Sequence, residues 1–471
     1  MAAVDPASPF AAIRQLHVED VLLPLLWQLT IIIIAARVFA AGLRRLGQPS
    51  AIGEMLAGIV LGPSLLGAAF PGVYRALFHP TLEGVPTELF QGVLHWTLVA
   101  LSQVGLVLLL FLIGLEFDFQ HLRSRGASAV AISWAGILCP FVLGVLLAQA
   151  LGPRVGRPEP VSFSLFLGIA MSITALPMLG RIMQELNITR SRIATVTISA
   201  GAVDDVAGWI LLASIAAMAR SRANGDAAVH WGESAAMLGW TVAFACGMFL
   251  AVGPWLRRWA RRAVRNPQRE LSLWSLSVLL AMTFGCAMLT SRIGIFAVFG
   301  AFTLGAVLSG EDVFREAVHR RMRDFVTVFF LPIFFAYTGL RTDIGSLGSL
   351  EMWGWCGVVL AVAMLGKLGG CALAARWTGS SRREAACIGI MMNTRGLMEL
   401  VVVNMGKDLG FIPDSVYCML VLMAVATTVM TTPLLMRACR GTELEPLIQA
   451  SPLARSIAGG DAALDAVEPG S

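Results

Sequence analysis

Hydrophobic positions in this chain neither alternate nor gather on one helical face; they form long continuous runs separated by short polar stretches. Thirteen runs approach the roughly 17–25 residues a helix needs to cross a bilayer, near 20–43, 51–67, 93–117, 127–151, 161–184, 192–219, 233–256, 271–289, 293–310, 324–341, 352–375, 385–405 and 415–436. In lipid each backbone amide must find its partner inside the protein, and a helix does so within its own segment. The pattern therefore predicts an all-α polytopic membrane protein with 13 transmembrane helices.

Composition removes the alternatives. With 471 residues, 57% of them hydrophobic and 14% charged, and a mean hydropathy of +0.75, the chain has more apolar surface than a soluble core of this length can bury. The first twenty residues lack a basic region, so no cleavable signal peptide is read and the first run is taken as a permanent helix. Of the 35 basic residues, 23 fall on one side of the spans, nine on the other and three inside them. Cytoplasmic loops carry the Lys/Arg excess. Residues 1–19 are accordingly expected outside, 20–437 in the membrane, and 438–471 as an unstructured cytoplasmic tail. In a bacterium this is an integral inner-membrane protein. The dense basic loop from Arg257 to Arg265 is read as contacting anionic lipid headgroups, not nucleic acid. The eight cysteines lack metal-ligand spacing, and Cys139, Cys246, Cys286 and Cys371 are read as small buried apolar residues. No cofactor is expected.

Charge inside the spans carries the chemistry. Asp204 and Asp205 are adjacent in the middle of the sixth run, although one Asp at a membrane helix centre costs about 2.5–3.5 kcal/mol on insertion scales. About 100° apart on a helix, they cannot both face lipid. They are expected to titrate as a coupled unit that binds a proton or a small cation. The chain uses Arg for nearly all its basic residues, yet Lys367 stands in the middle of the eleventh run. A buried Lys can release its proton as Arg cannot, so Lys367 is read as the ion-pair partner of one Asp. Arg395 is expected to neutralise carbonyl dipoles and carboxylates, with Glu399 one turn on as its partner. Arg37 is read as snorkelling to the interface. Glu54, Glu116 and Asp118 are read as solvated helix ends.

The chain also repeats itself. Gly168 to Leu179 in run five aligns without gaps, at an offset of 221, with Gly389 to Leu400 in run twelve. The end of run three, Phe111 to Asp118, matches the end of run ten, Tyr337 to Asp343, seven runs later. Gly53–Gly62 and Gly300–Gly310 share a glycine-rich pattern in runs two and nine. Seven is odd, so the copies cross in opposite directions; inverted-topology repeats of this kind carry an ion site at the midplane between discontinuous helices. Ser172, Thr174 and Pro177 in one copy, and Asn393, Thr394 and Gly396 in the other, combine helix breakers with side chains able to satisfy freed backbone groups.

These residues resemble the monovalent cation:proton antiporter-2 family of the sodium/proton exchanger superfamily, and within it the CHX-type cation/proton exchangers. The similarity covers about residues 20–437 and rests on Phe111–Asp118, Ser172–Pro177, Asp204-Asp205 and Asn393–Leu400. It implies a homodimer in which core helices, about 93–219 and 324–436, move like an elevator against scaffold helices, about 20–67 and 233–310. It implies Na+ or K+ exchanged for H+, with Asp205 as principal carrier, Asp204 as partner of Lys367, and Thr174 and Ser172 beside the cation. The double Asp implies electrogenic exchange. Where Arg395 stands, relatives often have Lys. Two other classes stay open: a proton-independent cation channel and an intramembrane Asp-dependent enzyme. For the enzyme, the third carboxylate of a D-D-x-x-D motif is missing, since position 208 is Gly.

Overall fold

The computed structural model describes residues 17–46, 48, 50–82, 85–116, 126–156, 160–189, 191–201, 203, 204, 207, 208, 211, 231–264, 270–293 and 296–451. Every regular element among the described residues is helical. Among the described residues seven helices are long and apolar enough to cross a membrane: Val18–Arg45, Thr87–Leu115, Ala127–Leu151, Gly239–Ala263, Leu273–Ile293, Leu350–Trp377 and Asp414–Ala438. A bent pair, Asp312–Arg323 and Val326–Leu347, meets at 46° and makes an eighth if it is one span. Other expected spans fall on shorter apolar helices, Ile52–Gly67, Val161–Ser172 and Ala297–Leu308. Of the sixth run, only 192–201, 203, 204, 207, 208 and 211 are described, and Asp205 lies outside the described residues.

Runs five and twelve are each broken. Helix Pro160–Ser172 stops, residues 173–175 belong to no helix, and Leu176–Glu185 resumes with a Pro in its first turn, where the missing N–H would have had no helical partner. Helix Arg382–Met392, started by a Ser381–Glu384 capping box, stops before Asn393, and Leu397–Asp408 resumes after Gly396. The two breaks touch: the Ala175 amide donates to the Thr394 carbonyl at 3.1 Å.

Glycines set how closely the other helices approach. A Cβ on Gly114, near the end of Thr87–Leu115, would lie 2.2 Å from the Phe302 carbonyl oxygen of Ala297–Leu308. A Cβ on Gly339, near the end of Leu331–Leu340, would lie 2.2 Å from the Gly58 carbonyl carbon of Ser50–Leu61. Run three thus packs on run nine as run ten packs on run two, backbone against backbone, the contact small residues permit between membrane helices.

Several expectations need correction. The tail does not lose structure at about 440: helix Leu444–Gln449 buries Leu444 and Ile448, one turn apart, and Glu443 accepts from the Ile193 amide at 2.7 Å. Residues 452–471 lie outside the described residues. Glu54 is no solvated end; it is 1% exposed beneath Val18–Arg45, because Gly53 lets its helix close on Ala40, and Arg37 approaches to 3.9 Å. Arg37 also reaches inward, donating to the Thr327 carbonyl at 3.2 Å. Glu116 is half exposed beside His319, and Asp118 lies outside the described residues. Cys371 is buried, but Cys246 is exposed on the helix surface.

Candidate functional site

The interrupted helices leave backbone groups to satisfy where lipid and water offer little, and two buried cations meet that need at one cut end. The last carbonyls of Pro160–Ser172 form the negative end of a helix dipole. Arg395 donates to the Ala170 carbonyl at 3.1 Å and the Met171 carbonyl at 2.5 Å, while Lys367 Nζ donates to the Ser172 carbonyl. Neither side chain is more than 1% exposed.

Each cation has an acid. Lys367 Nζ lies 2.6 Å from Asp204 Oδ2, both side chains fully buried. Asp204 Oδ2 also accepts from Thr174 Oγ1 at 2.6 Å, and Oδ1 accepts from Ser133 Oγ at 2.5 Å. The carboxylate is held by three donors from three other elements: helix Gly126–Leu151, the break at 173–175 and the Lys367 turn. Arg395 pairs with Glu399 Oε1 at 3.1 Å, four residues along the same chain, and Glu399 Oε2 has no hydrogen-bond partner among the described residues.

Local backbone explains the aim of Lys367. It lies in a π-helical turn, Leu365–Gly369, inserted between Leu350–Met364 and Gly370–Trp377. Such a turn re-phases the side chains after it and is frequent at functional sites. The facing helix gives way at Gly136, where a Cβ would lie 2.6 Å from Cys371 Sγ and 3.7 Å from Lys367 Nζ. Thr428 of Asp414–Ala438 closes the second break, donating to the Arg395 carbonyl at 2.6 Å, and Thr431 stands 3.4 Å from Thr394 Oγ1.

Of the residues singled out from sequence, the structure gathers Asp204, Thr174, Ser172, Lys367, Arg395, Glu399, Asn393, Thr394 and Gly396 around the two breaks. Ser172 is present through its carbonyl; its hydroxyl is spent on the Gly168 and Ile137 carbonyls. Pro177 starts the second half-helix. Ser133, Gly136, Thr428 and Thr431 were not singled out, because a hydroxyl or a glycine in an apolar run carries no signal until its neighbours are known. Among the described residues no cluster of three or more His, Cys, Asp or Glu is arranged to hold a metal ion.

The chain is similar to known membrane transport proteins. The transmembrane family of sodium/hydrogen exchangers matches residues 30–437. The chain is 36% identical over 423 residues to the Na(+)/H(+) antiporter NhaS4 of Synechocystis, covering 89% of this chain and 98% of that one. It is 36% identical over 425 residues to Cation/H(+) antiporter 17 of Arabidopsis thaliana, covering 89% of this chain but only 48% of that relative, so it spans about half the plant protein. The structure of the sodium proton antiporter MjNhaP1 from Methanocaldococcus jannaschii superposes with a TM-score of 0.61 at 13% identity, over 90% of this chain and 98% of that one, a likeness of fold. On these matches the chain belongs to the sodium/hydrogen exchanger family and is an integral membrane transporter, not an enzyme.

Proposed function

We propose that this protein exchanges a monovalent cation, Na+ or K+, for protons across the membrane, cation and proton competing at Asp205 and Asp204. The observation that carries the reading is the fully buried Lys367–Asp204 pair at the two helix breaks. A buried ion pair is weak as a stabiliser, because desolvating both charges offsets their attraction. It has value when it can open. A cation arriving at the carboxylates competes with the ammonium for Asp204, and a Lys deprived of its counter-ion inside the membrane releases its proton. When the cation leaves, a proton returns and the pair re-forms. Asp205 is assigned the principal carrier role on the family resemblance. That resemblance also suggests two protons per cation, making exchange electrogenic.

Two inverted repeats and thirteen spans are part of the proposal. The reciprocal glycine contacts, Gly114 on run nine and Gly339 on run two, support it, since a pseudo-twofold relation between repeats generates this pairing. We further propose a homodimer with elevator-like motion, N-terminus outside and C-terminus cytoplasmic. The described donors to Asp204, Ser133, Thr174 and Lys367, all lie within the expected core, which supports a site carried whole by the moving body. The same glycine contacts draw Thr87–Leu115 and Leu331–Leu340 toward the scaffold, so the moving body is taken to exclude them.

The test is a pH gradient imposed on everted vesicles or proteoliposomes, with Na+, K+, Li+ and Rb+ added in turn. Na+ or K+ is expected to dissipate it, with an apparent KM that rises as pH falls, and Asp205→Asn is expected to abolish the response. A gradient that no cation dissipates, or full exchange by Asp205→Asn, overturns the reading. Exchange indifferent to a valinomycin-clamped potential removes the electrogenic part alone.

A further inference from the structure

One buried acceptor at the second break is left unused by the described residues. Asn393 ends helix Arg382–Met392, is 2% exposed, and its Oδ1 accepts no hydrogen bond from the described residues. Its neighbours are engaged. The Met392 carbonyl lies 3.5 Å from Thr174 Oγ1, and the Thr394 carbonyl accepts from the Ala175 amide at 3.1 Å. Asn393 is therefore pinned on both sides to the segment that brings Thr174 to Asp204. Thr428 and Thr431 serve the following residues, so the break does not lack donors in general.

A buried amide oxygen without a donor is disfavoured unless something else takes its lone pairs. Here the surroundings select a cation. The oxygen lies at the carbonyl end of a helix, where the dipole is negative, on the residue between two that touch the Thr174 segment, and Na+ and K+ are hard ions that take oxygen ligands. We infer that Asn393 Oδ1 is a neutral ligand of the transported cation, and that it contributes to the choice between Na+ and K+. The inference rests on the exchange reading above and deepens it. A carboxylate serves proton and cation alike, whereas an amide oxygen does not take up a proton at physiological pH. Asn393 therefore favours the cation in its competition with the proton.

Proteoliposomes carrying wild type, Asn393→Leu and Asn393→Ser test this, with Na+ and K+ titrated at several pH values. The Leu variant is expected to raise the cation KM by about tenfold, the loss of about 1.4 kcal/mol of binding. Its maximal rate and its proton inhibition constant should stay unchanged. The Ser variant, which keeps a shorter oxygen, should show a smaller rise and an altered Na+/K+ ratio. Should the Leu variant not fold, the Ser variant is decided by whether Na+ or K+ still raises its melting temperature as in wild type, the cation-induced shift being expected to shrink. A cation KM unchanged in the folded variants, or a lowered maximal rate at unchanged KM, overturns the ligand role while leaving exchange intact. Wild type that exchanges nothing removes both readings together.

Discussion

Lys367 and Arg395 cap the same cut helix end, Lys367 at the Ser172 carbonyl and Arg395 at those of Ala170 and Met171, yet their counter-ions are arranged in opposite ways. Asp204 reaches Lys367 from a different helix, 163 positions away in sequence. Glu399 reaches Arg395 from four residues along the same chain. A pair built between elements can part when either element or an ion intervenes; a pair built four residues apart, between the break and the first turn of the helix that follows it, stays together. The side chains match this difference, since Lys can lose its proton and Arg keeps its own. One pair is suited to exchange and the other to holding the break in shape.

The largest effect should come from removing one partner of the separable pair. Lys367→Ala leaves Asp204 buried without its counter-ion, at a cost of about 3–5 kcal/mol. Thermal unfolding in detergent should show the drop, with part of it recovered in the Lys367→Ala/Asp204→Asn double variant. Strictly additive losses would mean the two groups do not act as a pair.

Swapping the cations sharpens the comparison. Lys367→Arg keeps the charge but cannot shed a proton, so exchange should be lost while the protein remains folded. Arg395→Lys should cost about 1.5–3 kcal/mol of stability through the lost fork of charged hydrogen bonds, while exchange keeps its pH profile. If Lys367→Arg transports normally, the division between the pairs fails.

Thr428→Val should be milder, about 1 kcal/mol, as the hydroxyl that accepts from the Arg395 amide and donates to its carbonyl is removed. A melting temperature equal to wild type would mean the second break does not depend on that cap. At the protein surface, Arg154 pairs with Glu351 while both side chains are about half exposed. Arg154→Ala should therefore cost less than about 1 kcal/mol, and less still at high salt. A loss as large as that of Lys367→Ala would erase the contrast between buried and exposed pairs.

Much of the fold was legible because membrane helices announce themselves by length and hydrophobicity alone. The breaks at 173–175 and 393–396 were legible for the opposite reason: polar and helix-breaking residues inside an apolar run need an explanation within that run. Lys367 stood out as a Lys in an Arg-rich chain. Ser133 and Gly136 did not, although one donates to Asp204 and the other makes room beside Lys367. Glu54 was misread because closeness to a helix end says nothing about which helix lies across it. The tail was misread because composition averages over the two apolar residues that dock Leu444–Gln449.

The sequence by itself determined that the chain is helical and membrane-embedded, where two of its helices stop, and which charges must be explained. Each of these follows from properties summed along a short stretch: hydrophobic length, helix breakers, and the cost of a charge in lipid. The tertiary structure decided how Asp204 is held against Lys367. From the residues alone, two adjacent carboxylates about 100° apart on one helix both fitted Lys367; the family resemblance implied Asp204, and Glu399 was already expected beside Arg395. It is the π-helical turn around Lys367, the glycine facing it, and the hydroxyls of Ser133 and Thr174 that bring Asp204 to the ammonium. Contacts between segments far apart in the chain depend on packing in three dimensions, and no local pattern encodes them.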